Sequence, residues 1–108
     1  MATAYKVLGQ QNPVANTQTT MYTVPAATQC ISSTIAICNQ GISTTYRIAV
    51  SVAGAAANSR QYIAYDAPVG GRDTIFLTVG MTLGATDVIR VTANTANVSF
   101  SLFGSEIT

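Results

Sequence analysis

Four carboxylates, two thiols and five tyrosines are the main stock from which this chain could draw an acid, a base or a nucleophile, because it contains no histidine. Without imidazole the commonest general base is missing, and without tryptophan so is the commonest platform for stacking a sugar. A glycosidase would need two carboxyl groups about 5 to 9.5 Å apart in a cleft. Asp73 and Asp87 each stand just after a glycine-containing turn and just before a strand pattern, where an Asp side chain bonds nearby backbone N–H groups. Turn chemistry therefore accounts for both. Cys30 and Cys38 lie in one strand pattern, which separates their Cα atoms by about 26 Å at ~3.3 Å per residue, far beyond the reach of a disulfide. Two cysteines with no histidine also fall short of the four ligands of a closed zinc site. Gly70-Gly71-Arg72 lacks the spacing and the Lys-Ser/Thr end of a phosphate loop. One pair remains as a binding candidate, Tyr62 and Tyr65 beside Arg60, which could meet a glycan or a protein surface. Alternation puts the two rings on opposite faces, with at least one in the core. No catalytic, cofactor-binding or metal-ligating residue is assigned, no cofactor is expected, and the reading is of a protein that is not an enzyme.

The elements that must position these residues are strands. From Cys30 to Val52 the chain carries its clearest alternation, with Ile31, Ile35 and Ile37 on one parity and Tyr46, Ile48, Val50 and Val52 on another, either side of an Asn39-Gln40-Gly41 break. The break predicts a bulged hairpin joining a pair of strands. Ile35, Ile48 and Phe100 are expected in the core, whereas Ala36, Ala49, Ser51, Ser99 and Ser101 are expected on outward faces. Further strands are expected at Ala4 to Leu8, Thr19 to Val24 (Thr20, Tyr22 and Val24 opposite Met21), Gln61 to Ala67 ending at Pro68, Thr74 to Val79, Val88 to Ala93, and Val98 to Phe103. Ala53 to Ser59 is too short to nucleate a helix and reads as a loop with at most one helical turn. Met81 to Thr86, with Gly80 and Gly84, reads as a wide connection. About eight short strands at roughly ten-residue spacing predict an all-β fold, an antiparallel β-sandwich or jelly roll, in one domain over residues 1–108.

Composition sets the partners. Charged residues make up 8% of the chain and hydrophobic ones 48%, against a usual charged share of about 25%. A surface coated with Thr, Ser, Asn and Gln resists association weakly, so a self-associating subunit is expected. Lys6, Arg47, Arg60, Arg72 and Arg90 are scattered among Asp66, Asp73, Asp87 and Glu106, leaving no basic stripe for nucleic acid. No apolar run reaches the ~18 residues of a membrane helix, and no leader pattern opens the chain, so it is expected to stay in the cytoplasm where it is made or to leave by lysis.

Met21-Tyr22-Thr23-Val24-Pro25-Ala26, Ser33-Thr34-Ile35-Ala36-Ile37-Cys38-Asn39 and Tyr46-Arg47-Ile48-Ala49-Val50 resemble a small family of tailed-bacteriophage virion proteins. The opening Tyr5-Lys6-Val7-Leu8-Gly9-Gln10 and the ending Val98 to Ile107 are similar to that family as well. The resemblance covers nearly the whole chain and carries no active residue with it. It implies a virion structural component, of the tail or baseplate fibre type or of the capsid decoration type; the reading adopted is a tail or baseplate appendage subunit, assembled as a homo-oligomer, with a homotrimer expected, and in contact with other phage structural proteins. Two alternatives are a capsid decoration protein that stabilises the head and a carbohydrate-binding module for a host surface glycan.

Overall fold

Alternation of apolar and polar residues yields nine strands in the computed structural model, which describes residues 2–78 and 80–108. They are β1 (Thr3–Gln11), β2 (Thr19–Thr23), β3 (Gln29–Asn39), β4 (Thr44–Ser51), β5 (Tyr62–Val69), β6 (Thr74–Leu77), β7 (Met81–Leu83), β8 (Val88–Ala93) and β9 (Val98–Ile107). One sheet runs β1-β9-β3-β6, with β7 also on β3, and the other runs β2-β8-β4-β5. Every pairing is antiparallel. With β7 set aside, this is the order of eight strands in two Greek keys wound over two sheets, a jelly roll. Between the sheets Ile35, Ile37, Ile48, Ile89, Val91, Val98, Phe100 and Leu102 are all fully buried, and the edge of the Tyr46 ring meets Phe100 at 6.1 Å. The expected core residues Ile35, Ile48 and Phe100 are therefore where alternation placed them.

The central pair is different from the expected hairpin. β3 and β4 do not pair; they belong to opposite sheets, and residues 40–43 carry the chain from one to the other. The buried Asn39 side chain holds this arch, donating to the carbonyls of Ile42 (2.7 Å) and Gly70 (3.0 Å) and accepting from the Gly41 N–H (3.0 Å). Each strand already has a β9 or β8 partner, so a polar arch that satisfies its own backbone replaces the hairpin ladder.

Face assignments depart from simple alternation where one strand carries an extra residue. β9 keeps a single parity, with Val98, Phe100, Leu102 and Glu106 all directed inward. Opposite it, Ser32 pairs with Gly104 and Thr34 with Phe103, so Ser33 is an extra residue and β3 changes phase there. Cys30 and Ser32 thus point in, and Ile31, expected to share a face with Ile35, is 45% exposed. A side chain at Gly104 would collide with the Ile31 carbonyl and lie 2.8 Å from the Ser32 Cα. β1 shifts beside the same point, between Val7 and Gly9, and runs on through Gly9 rather than stopping at Leu8. β2 shifts between Thr20 and Tyr22, which buries both Met21 and Tyr22 instead of placing them on opposite sides.

Three further corrections concern the remainder of the chain. Residues 81–83, expected within a connection, form the short strand β7, and Met81 and Leu83 cover the first half of β3 from its edge. Pro68 lies inside β5 rather than closing it, which an edge strand tolerates because one side of its ladder is unpaired. Ala49 and Ser51 have the outward parity expected of them, yet both are buried. Arg90 lies across them, donating to Ser51 Oγ (2.8 Å) and to the carbonyls of Ala55 (2.9 Å) and Gly54 (3.5 Å), and so fastens the 3-10 turn Val52–Gly54 to the sheet, ahead of a second such turn at Ser59–Gln61. Val52 leaves the strand and is exposed. Ile75 and Leu77 share the inward side of β6 as expected, and Val79 lies outside the described residues.

These placements predict distinct costs for two isoleucines that sequence parity treats alike. Ile35→Ala or Phe100→Ala should cost about 2 to 5 kcal/mol in urea unfolding, the usual loss for a truncated core side chain, and Ile31→Ser well under half as much. Equal losses at Ile31 and Ile35 would mean that β3 has no phase change at Ser33.

Candidate functional site

The edge strand β5 gathers the polar aromatic cluster. Its pairing with β4 shifts twice, setting Ala67 against Tyr46, Ala64 against Ile48 and Tyr62 against Ala49. Tyr65 and Asp66 together therefore face Arg47, with Asp66 in the left-handed region at φ 50°. The rings of Tyr62 and Tyr65 meet edge to face at 5.0 Å. Neither is in the core, and the cation beside them is Arg47, not Arg60. Its guanidinium stacks 4.0 Å over Tyr65 and bonds Asp66 in bidentate fashion through Nε (2.7 Å) and Nη2 (3.2 Å). The Asp66 carboxyl is held below, and the Arg47 guanidinium above, its ordinary range by that hydrogen bond. Asp66 is exposed and Arg47 half-exposed, so solvent and salt weaken the pair. The adjoining cavity, of about 110 Å³ and lined by Asn16, Thr45, Thr92 and Asn94, is small beside the ~300 to 1,000 Å³ of ordinary small-molecule sites. A larger hollow of about 480 Å³ lies under the 3-10 turns, with Val50, Val52, Ala55 and Arg60 in its wall. Arg60 is its one charged group, and no acid–base pair converges there.

A second cluster bridges the two sheets. Glu106 lies inside on β9, opposite Ala4 and Cys30. Tyr22 of the other sheet donates to Glu106 Oε2 at 2.5 Å, and Lys6 Nζ lies 2.6 Å from Oε1. Lys6 first, and the Tyr22 hydroxyl after it, hold the Glu106 carboxyl below its usual value, against the opposing effect of burial. Burial, then the bond to Glu106, pushes the Tyr22 phenol far above its usual value, and burial also pushes the Cys30 thiol up. With one carboxylate oxygen taken by Tyr22 and the other by Lys6, Glu106 acts as a cross-sheet clamp rather than a free acid. Sequence reasoning missed it. The available signal was an acid on the inward parity of Val98, Phe100 and Leu102, which demands a partner.

Asp73 and Asp87 do turn chemistry. Asp73 Oδ1 accepts from the Thr74 N–H (2.8 Å), while Asp87 accepts from the Gly84 and Ala53 N–H groups, each at 2.9 Å. Cys30 and Cys38 are free thiols on β3, the first in the core and the second half-buried on the outer side.

The two outer faces differ in charge. Arg47, Asp66 and Arg90 lie on the outside of the β2-β8-β4-β5 sheet. On the outside of β1-β9-β3-β6 the register places Tyr5, Val7, Phe103, Ile31 and Phe76, together with Ser99, Ser101, Thr34 and Ala36. Among the described residues no charged side chain belongs to this face, since Lys6 and Glu106 have the inward parity. Tyr5 is 85% and Phe76 67% exposed. This neutral sheet face, rather than a pocket, is the candidate site. No family model, curated protein or solved structure matches the chain.

The clamp predicts an acid transition. Because Glu106 has a folded pKa below its unfolded value of about 4.5, its contribution is fully present above that pH and is lost as pH falls through the folded value. Melting temperature followed from about pH 6 to about pH 3 should fall less steeply in Glu106→Gln than in the parent, the variant being less stable at the upper end. Asp66→Asn, on the exposed pair, should leave the profile nearly unchanged; identical slopes for Glu106→Gln and the parent would contradict the clamp.

Proposed function

We propose that this chain is a non-enzymatic structural subunit of a tailed-bacteriophage particle, placed in a tail or baseplate appendage and acting by assembly with copies of itself, as a trimer, and with neighbouring virion proteins. The observation that carries this reading is the outer face of β1-β9-β3-β6, a sheet surface to which no charged side chain belongs among the described residues, in a domain whose charges are few. A monomer has no use for Tyr5 and Phe76 in water, whereas a subunit of a repeating assembly buries them. The resemblance of the segments at Met21 to Ala26, Ser33 to Asn39 and Tyr46 to Val50 to phage virion proteins supports the same reading. A jelly roll serves viral shells and lectins alike, so architecture alone does not choose between them.

The carbohydrate-binding alternative rests on Tyr62, Tyr65 and Arg47. It is the weaker reading, because Arg47 has already spent its fork on Asp66 and its face on Tyr65, leaving little for sugar hydroxyls. Capsid decoration remains the alternative within the same class, using the same neutral face to clamp shell subunits. Mass spectrometry of purified particles, with gold-labelled antibody to locate the chain, separates these outcomes. Label at the tail end is the expected result; label spread over the head would transfer the protein to the decoration class, and absence of the chain from particles would overturn a virion role.

A further inference from the structure

We infer that the outer face of β1-β9-β3-β6 is a self-interface, covered in solution by a second copy of this chain. The inference rests on the assembly reading above and specifies which surface performs it. Its apolar members are Tyr5, Val7, Ile31, Phe76, Phe103 and Ile107, of which Ile31 is brought to this side by the phase change at Ser33. Had β3 kept a single parity, Ile31 would lie in the core and Cys30 and Ser32 would face outward in its place. The same single-residue shift that turns Cys30 inward opposite Glu106 thus adds Ile31 to the outer patch.

Three observations select a second copy as the occupant. First, the face carries no charged side chain among the described residues, so a charged partner surface would lose hydration on docking without gaining a counter-charge. A neutral, hydroxyl-bearing face satisfies it, and this chain supplies one. Second, the face is large enough. β3 and β9, of eleven and ten residues, at ~3.3 Å per residue and four strands at ~4.8 Å spacing, offer roughly 600 Å² per copy, where stable specific interfaces of about 1,200 Å² in total begin. Third, its pattern suits close sheet-on-sheet approach: Ser99, Ser101 and Ala36 are small, and rows of small residues lie between the apolar ones, so facing side chains can interdigitate. The opposite sheet lacks these features, since Arg47, Asp66 and Arg90 occupy its outside and the 52–61 segment covers Ala49 and Ser51.

Sedimentation of the purified chain over a micromolar concentration series reads this directly. The parent should associate, and Phe76→Asp and Ile31→Lys, which put an unpaired charge on the face, should each weaken association at least about tenfold. Ile42→Lys, on the exposed arch outside the face, should not. Thermal melts establish that the variants are folded. Independently of any variant, alkylation of Cys38 should slow as the parent is concentrated through association. A parent that stays monomeric, or an oligomer indifferent to both substitutions with Cys38 equally reactive throughout, would overturn the inference. The chain could still be found in particles in either case, which would leave the virion reading standing; an oligomer sensitive to both substitutions but absent from particles would do the reverse.

Discussion

Glycine at position 104 is the constraint on which much of this fold turns. β9 runs straight through it with one parity, while both neighbours take in an extra residue alongside, Leu8 in β1 and Ser33 in β3. The two β-bulges need room that any Cβ at position 104 would occupy, since it would strike the Ile31 carbonyl on one side and come within 3.0 Å of Leu8 on the other. A bulge strengthens local twist and redirects side chains. Here it turns β3 over, so that its C-terminal half fills the core with Ile35 and Ile37 while its N-terminal half sends Cys30 and Ser32 inward.

From that inversion follows the distribution of charge. The inward row at the N-terminal end of β3 is small and polar enough to admit Glu106, and Tyr22 reaches across from the other sheet to meet it. A buried carboxylate with both oxygens bonded fixes the separation and the register of two sheets whose facing sides are otherwise mainly apolar. At the other end of the sandwich Asn39 does the equivalent for the backbone, closing the arch between β3 and β4 with three hydrogen bonds. Among the described residues the other charged pair, Arg47 with Asp66, lies on the outside of the β2-β8-β4-β5 sheet, and no charged side chain belongs to the opposite outer face.

How far the sequence could be read depended on whether a strand keeps one phase. β4, β8 and β9 do, and Tyr46, Ile48, Ile89, Val91, Phe100 and Leu102 were all legible as core from alternation. β2, β3 and β5 do not. One added residue leaves no compositional trace, so Ile31, Met21 and the Tyr62/Tyr65 pair were assigned to the wrong sides. The hairpin expected at Asn39-Gln40-Gly41 failed for a different reason: local turn signals indicate that the chain reverses, not which strand it then pairs with. β7 escaped notice because three residues between glycines show too little periodicity. The parity of Ala49 and Ser51 was right, but burial by the 52–61 segment depends on Arg90 reaching two carbonyls and a hydroxyl, contacts no linear pattern encodes. In the candidate site itself, Ala36, Ser99 and Ser101 were legible as outward and small, while Ile31 became part of that face only through the phase change.

A register shift in the middle of a strand ties the fold to the proposed assembly, because the inversion that turns Cys30 and Ser32 inward also puts Ile31 on the neutral face. Imaging of the intact particle at side-chain resolution tests this most directly. The account predicts a nine-stranded jelly-roll subunit whose β1-β9-β3-β6 face lies against another copy of the same chain, with Phe76 and Ile31 out of solvent; the same face open to solvent, or covered by a different protein, would contradict it.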